Sequence, residues 1–253
     1  MTRIGIIGAS GRMGRTLGQM ISDAPDLTYV GGVDIVATTL FDAPVYEIER
    51  LQEFITEQCP DVMIDFTVAA ASAKNIPVIA KMGISIVLGT TGFTKEQQAA
   101  IESAIQEGNV AAVISSNFSI GMNIFWTLVR EAASRLKDYD MEVIEAHHRN
   151  KKDAPSGTAR TILGILHEVT GQREEVYGRQ GMNERGNEIG VHVIRGGDII
   201  GDHTVSFIKN YETIELSHRA SDRAVFAHGV VLAARWIGDK KPGIYSMKDV
   251  LAL

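Results

Sequence analysis

Ile4-Gly5-Ile6-Ile7-Gly8-Ala9-Ser10-Gly11-Arg12-Met13-Gly14 is the stretch that decides the fold. The apolar run from Ile4 to Gly8 reads as a strand. It breaks into glycines that open a helical pattern at Met13, Leu17, Met20 and Ile21. Glycines let the chain turn sharply and approach a pyrophosphate closely. The helix start behind them offers free N–H groups and a partial positive charge. A second strand, Leu27 to Asp34, ends on an acid twenty residues after Gly14, where a carboxylate accepts hydrogen bonds from an adenosine ribose. Glycines alone also end strands for structural reasons. The order strand, glycines, helix, strand, acid is what points to a dinucleotide. Gly8, Ala9, Ser10, Gly11, Arg12, Met13 and Asp34 are the candidate contacts.

Working outward, the same alternation continues. Strands read at Val62–Phe66, Ile86–Leu88 and Ala111–Ile114, with helical patterns at about Ala70–Lys81 and Lys95–Glu107. A weakly patterned stretch after Asp34 leads to a helix near Glu47–Gln58. Strands separated by helices predict an α/β, Rossmann-type, doubly wound parallel sheet. Ligands of such sheets sit at the carboxyl ends of the strands. Gly89, Thr90 and Thr91 follow the fourth strand, and Ser115, Ser116, Asn117 and Phe118 follow the fifth. Both loops are candidates for the nicotinamide end of the cofactor, the alternative being ordinary small-residue turns.

The rhythm changes after Phe118. A long helix is predicted over about Ile120–Leu136, with Phe125, Leu128, Val129, Ala132 and Leu136 on one face. A strand at Met141–Ala146 enters a polar loop, and Ser156 opens another helix. Strands at Ile189–Arg195, Thr204–Lys209 and Thr213–His218 follow without helices between them, which predicts an inserted α+β domain. A last helix near Arg223–Ile237 returns to the first domain. The expected division is 1–118 with 229–253, and 119–228. Residues 171–188, glycines among charges, read as a mobile loop.

Composition narrows the function classes. The 253 residues carry 25 Lys and Arg against 31 Asp and Glu, a net charge of −6, a poor balance for a nucleic-acid partner. One cysteine, Cys59, excludes an intrachain disulfide framework and suits a reducing, cytoplasmic setting. No apolar run reaches the roughly 18 residues of a membrane span, and the N-terminus runs straight into a strand with no room for a signal peptide.

The loop Glu145-Ala146-His147-His148-Arg149-Asn150-Lys151-Lys152-Asp153-Ala154-Pro155-Ser156-Gly157-Thr158-Ala159 concentrates two imidazoles and three permanent cations in an acidic chain. Such a cluster suggests an anionic ligand. Ser156 is placed to cap the following helix, whose first amides, at Gly157 and Thr158, can bind a carboxylate. The alternatives are a solvated basic loop or a metal site. No nearby Cys or H-x-x-x-H pairing completes a metal site, and none is expected.

Taken together, the chain resembles the dihydrodipicolinate reductase family, whose activity is that of 4-hydroxy-tetrahydrodipicolinate reductase. The glycine turn, Gly89-Thr90-Thr91-Gly92 and the loop from Glu145 to Ala159 carry the resemblance. Asp65-Phe66-Thr67 and Asn117-Phe118-Ser119-Ile120-Gly121 also fit, so it spans nearly the whole chain. The resemblance implies a dinucleotide-binding domain made of both chain ends and an inserted substrate-binding and oligomerisation domain that joins a homotetramer. It implies that His147 is the catalytic histidine, Lys151 the proton donor, and that His148, Gly157 and Thr158 bind a dicarboxylate substrate. The implied reaction is NAD(P)H-dependent reduction, with loss of water, on the diaminopimelate route to lysine.

Asp34 is followed by Ile35-Val36-Ala37-Thr38-Thr39, with no Lys or Arg to pair with the 2′-phosphate of NADPH. Arg12 is the nearest cation in sequence. Both NADH and NADPH are therefore expected to serve, with NADH preferred. Competing readings are a semialdehyde dehydrogenase, whose acyl chemistry needs a catalytic cysteine with a nearby base, and a non-catalytic NAD(P)H sensor, which needs no Lys151.

Overall fold

The computed structural model describes all 253 residues. Its elements in chain order begin with β1 (Thr2–Ile7), α1 (Arg12–Ser22), β2 (Leu27–Asp34), β3 (Thr38–Leu40), β4 (Ala43–Glu47), α2 (Leu51–Gln58) and β5 (Val62–Asp65). Next come α3 (Ala69–Lys81), β6 (Ser85–Leu88), α4 (Lys95–Glu107), β7 (Ala111–Ile114), α5 (Ile120–Arg135), β8 (Asp140–His147) and α6 (Gly157–Thr170). The remainder are β9 (Glu175–Tyr177), β10 (Ile189–Arg195), β11 (Gly201–Lys209), β12 (Glu212–Ala220), α7 (Ala224–Ile237), β13 (Gly243–Tyr245) and α8 (Met247–Leu251). No helix is long and apolar enough to cross a membrane.

The chain divides into two compact units, Met1–Ile120 with Ala224–Leu253, and Gly121–Arg223. The expected boundary at 228/229 falls inside α7, which is continuous from Ala224, so the division lies before that helix.

The first unit holds an eight-stranded sheet in the order β13-β7-β6-β5-β1-β2-β4-β3, parallel except for the β3–β4 pair. Its central strands are buried on both faces. Ile64, Val87 and Val113 join one core with Leu17 and Ile21 of α1 and Val230 of α7. Met63, Ile86 and Ala112, one residue out of phase, join the other core with Phe54 of α2, Ile76 of α3 and Ile101 of α4. The Rossmann-type α/β class is borne out. Strands β3 and β4 occupy the stretch that lacks pattern in the sequence. They form an edge hairpin in which β4 buries Ala43 and Val45 while β3 stays largely exposed, and an edge strand needs few apolar residues. The short β13 and α8 extend the opposite edge.

The second unit is a five-stranded mixed sheet in the order β12-β11-β8-β10-β9, with β8, β10 and β9 parallel and β11 and β12 antiparallel. Helices α5 and α6 cover one face through Phe125, Trp126, Val129, Ile162 and Leu166, against Met141, Val143, Val205 and Phe207. The apolar face expected for α5 is rotated. Met122, Phe125, Trp126, Val129 and Ala133 are buried, while Leu128 is 51% exposed. The segment read as a mobile loop contains β9, which pairs with β10.

Candidate active site

The glycine turn lies at the carboxyl end of β1, where β5 and β2 flank β1 on opposite sides. Gly8 has φ +74°, a left-handed conformation that glycine adopts without strain. Its N–H and that of Ala9 donate to the carbonyl of Val33, 2.8 and 3.3 Å away, which pins the turn to the end of β2. A Cβ on Gly14 would collide with the carbonyl oxygen of Gly8 and lie 2.7 Å from that of Ala9. Helix and turn can meet so closely only with hydrogen at that position. Gly11 caps α1 without a side-chain acceptor, so the first helical turn keeps amides for an anion. These features fit a dinucleotide pyrophosphate. Asp34 does more than close β2: its Oδ2 accepts from the Ser10 N–H and its Oδ1 from the Ile35 N–H, both at 2.7 Å. The acid thus braces the turn. Arg12 is exposed. Arg15, not flagged by the sequence, donates to the carbonyl of Ser10 at 2.9 Å.

The loops after β6 and β7 come together around a cavity of about 250 Å³ whose lining includes Thr90, Thr91, Phe93, Ser115 and Ser116. Thr90 is buried and tied to a hydroxyl network. Ser72 Oγ donates to Thr90 Oγ1 (2.9 Å), and Asp65 Oδ1 accepts from the amide and hydroxyl of Thr67 (2.8 and 2.7 Å) and from Thr90 (3.3 Å). Burial pushes the Asp65 carboxyl up, against the hydrogen bonds from Thr67, Ser72 and Thr90. Ser115 and Asn117 form a local turn, with Ser115 Oγ donating to the Asn117 carbonyl at 2.8 Å. Phe118 is buried against Phe66, ring centroids 5.4 Å apart. It is thus a packing residue of this loop, and half-buried Gly89 packs against the same Phe66 ring.

In the second unit, β8 delivers the polar loop and α6 receives it. Ser156 caps α6, its Oγ accepting from the Ala159 N–H at 3.1 Å. A Cβ on Gly157 would meet nothing within 4 Å, so the first turn of α6 opens onto free space. His147 is buried, and its Nδ1 lies 2.5 Å from Glu145 Oε2. Glu145 is fully buried. Its Oε1 accepts from the Ser156 amide (2.9 Å), and Arg195 grips both oxygens at 2.8 and 2.9 Å. Burial pushes this carboxyl up. The hydrogen bonds from His147, Arg195 and Ser156 outweigh that and hold it down at about 2. His203 stacks edge-on against His147 at 5.2 Å and lies 3.3 Å from Ser156 Oγ. Burial, reinforced by the neighbouring His147 and opposed by Glu145, pushes the His203 ring down to about 3, so it is neutral near pH 7. Lys151 Nζ pairs with Asp153 Oδ1 at 2.9 Å, and His148 is half-buried beside it in sequence. Glu145, His147 and His203 bring ligand atoms within 4.8 Å of one another, but the Arg195 guanidinium already occupies both Glu145 oxygens and repels a cation there.

Two family models cover the chain: dihydrodipicolinate reductase, N-terminus, over residues 2–118, and dihydrodipicolinate reductase, C-terminus, over residues 121–251. The chain belongs to the dihydrodipicolinate reductase family. It is 62% identical over 253 residues to the 4-hydroxy-tetrahydrodipicolinate reductase of Methanospirillum hungatei JF-1, covering all of both chains. It is 46% identical over 263 aligned positions to that of Methanosarcina barkeri, again covering all of both. In fold it is similar to the dipicolinate-bound dihydrodipicolinate reductase of Paenisporosarcina sp. TG-14, with a TM-score of 0.82, 23% identity and 97% of each chain covered. This family member is an NAD(P)H-dependent oxidoreductase.

Several partners of the reductase loop escaped the sequence reading. Arg195 and His203 lie on β10 and β11, far from the loop in sequence, and only sheet register brings them to Glu145. Glu145 and Asp153 stand inside the quoted motif, but no spacing rule assigns them a partner. Cys59 ends α2 in a left-handed conformation, is exposed, and its thiol donates to the carbonyl of Thr56 at 3.3 Å. It has no base beside it, which argues against acyl-enzyme chemistry.

Proposed function

We propose that this protein reduces 4-hydroxy-tetrahydrodipicolinate to tetrahydrodipicolinate, with loss of water, on the diaminopimelate route to lysine. One observation carries the reading: the cationic loop of His147, His148 and Lys151 runs directly into the open first turn of α6 at Gly157, capped by Ser156. A dicarboxylate substrate matches that arrangement of cations and helix-end amides. Relatives that share the whole chain length bear the same activity in their names.

In this reading Gly157 and Thr158 hold one carboxylate through their amides, and His148 assists. A bound nicotinamide supplies the hydride. As hydride adds to the conjugated imine, negative charge builds on the imine side, and the Lys151 ammonium delivers the neutralising proton. Asp153 holds that ammonium in place before substrate arrives. His147 serves as the catalytic histidine beside it, in acid–base exchange with the ring substituents. The glycine turn with Asp34, and the loops holding Gly89, Thr90, Thr91, Ser115, Ser116, Asn117 and Phe118, orient the cofactor. NADH is preferred to NADPH, since Asp34 accepts ribose hydroxyls and repels a phosphate. The first unit is the dinucleotide-binding domain, and the second binds substrate and assembles a homotetramer through its sheet. A cytoplasmic setting suits a chain whose one cysteine is free.

The test is oxidation of NADH and NADPH with freshly prepared 4-hydroxy-tetrahydrodipicolinate, with an amino-acid semialdehyde, and with no substrate. Turnover with the first alone is expected. Turnover of the semialdehyde, or cofactor binding without turnover of either, would replace this reading with the dehydrogenase or the sensor.

A further inference from the structure

Glu145 is a buried carboxylate that the chemistry above does not use. It is fully buried, and four hydrogen bonds converge on its two oxygens. We infer that Glu145 is the positioning residue that sets the ring orientation and tautomer of His147, with Arg195 holding it in the form that does so. The inference rests on the reading of His147 as the catalytic histidine.

The geometry carries it in three steps. First, Glu145 and His147 are two residues apart on β8, so their side chains leave the same face of the strand. Second, Arg195 lies directly opposite His147 in the β8–β10 register, and its guanidinium spans the carboxylate in a two-pronged grip. Its Nη2 also donates to the carbonyl of Asp153 at 2.7 Å, which ties the loop to the same node. A carboxylate held by a guanidinium is an acceptor only, so Nδ1 of His147 must be the donor across their 2.5 Å contact. The neutral imidazole therefore carries its proton on Nδ1 and presents a bare Nε2. Third, the ring has no freedom to escape. His203 stacks on it edge-on, and Gly201 lies so close that a Cβ there would be 3.1 Å from Nε2.

The same carboxylate accepts from the Ser156 amide at the start of α6. One buried group thereby aligns the catalytic imidazole and the helix end that takes the substrate carboxylate. A purely structural ion pair would explain the pairing of Arg195 with the buried Glu145 but not the direction of the His147 bond. Buried pairs are in any case weak contributors to stability compared with apolar replacements.

Glu145→Gln separates the two explanations. The amide oxygen keeps Ser156 and Arg195 Nη2, while the amide N–H2 turns to His147, forces Nδ1 to accept, and leaves Arg195 Nη1 with its bond to the Ile194 carbonyl. Full-length enzyme labelled with 15N-histidine is compared with the variant by solid-state 15N spectra at alkaline pH, with His147→Gln identifying the signal. The expected result is an Nδ1–H tautomer in the wild type and Nε2–H in the variant. A kcat loss of about a hundredfold or more should accompany it, the scale for an acid–base group in the wrong tautomer. KM for the dicarboxylate should stay within about threefold, because Ser156 keeps its acceptor. If Glu145→Gln does not fold, Glu145→Asp keeps the charge and the arginine but falls short of Nδ1. It should lose kcat with Arg195 still paired. An unchanged tautomer, or full kcat in either variant, overturns the inference. A wild-type enzyme inactive on the substrate instead overturns the proposed function, and the spectra still decide the tautomer.

Discussion

In the proposed reading the side chains of the polar loop divide between holding charge and moving it. Lys151 is paired with Asp153 at 2.9 Å, which holds its ammonium in one place, and the proposed reading makes it the proton donor rather than a free anchor for the substrate. Lys151→Ala should therefore lower kcat by about a hundredfold or more, the usual cost of losing a general acid. His148→Ala should raise KM and leave kcat largely intact, since it removes binding common to ground and transition states. Steady-state kinetics on both variants checks the split. Asp34 sits at the other end of the chemistry and has two tasks. It braces Ser10 and Ile35 through their amides, and in the proposed reading its charge opposes a 2′-phosphate. Asp34→Ala should lower kcat/KM for NADH more than for NADPH and so narrow or reverse the preference. Some loss with both cofactors is expected because the turn loosens, and the ratio of the two values is the readout.

At the level of elements, the turn between β1 and α1 depends on an absence of side chain. Gly14 packs against the carbonyls of Gly8 and Ala9, and any Cβ must push α1 away from the strand end. Gly14→Val should weaken NADH binding by about tenfold or more, equivalent to roughly 1.4 kcal/mol. Dipicolinate binding should change little, because Gly157 and Thr158 belong to the other unit. Calorimetric titration of each ligand measures both. The elements were largely legible before the structure: most predicted strands and helices match to within a residue or two. The exceptions share a physical cause. Strands β3, β4, β9 and β13 are short and lie at or next to sheet edges, and all but β4 bury little, so no sustained period-two pattern marks them. The buried face of α5 differs from the predicted one because Leu128 is apolar yet exposed, and periodicity alone does not say which stripe meets the sheet.

The molecule as a whole carries an acid-sensitive core and an uncovered sheet face. Glu145 and His203 both take up protons more readily in the unfolded chain. The His203 ring lies at about 3 against an ordinary 6.5, and the Glu145 carboxyl at about 2 against 4.5. Stability is therefore fully present above pH 6.5. It falls first through His203 as pH drops below 6.5, then through Glu145 below 4.5. Scanning calorimetry should show the unfolding temperature declining from neutrality to pH 4.5, with a flatter decline in His203→Gln. The face of the five-stranded sheet away from α5 and α6 presents Ile144, Thr204 and Ser217 in one cross-strand row and Ile194, 50% exposed, in the next. If that face joins the proposed homotetramer, Ile194→Asp should yield smaller species in light scattering while circular dichroism stays unchanged.

The sequence by itself determined the local features. The glycine turn, the terminal acid of β2, the cap at Ser156 and the change of rhythm after Phe118 are all set by neighbours a few residues apart. Backbone sterics, hydrogen-bond capacity and apolar period act at that range, and they can be read from a string. Only the tertiary structure decided which groups meet across the sheets. Arg195 reaches Glu145 because β10 lies beside β8, His203 reaches Ser156 because β11 lies on β8's other side, and Thr90 reaches Asp65 because β6 adjoins β5. Those contacts depend on strand order and register. They are settled by how the whole chain buries its apolar faces, and no local pattern records them.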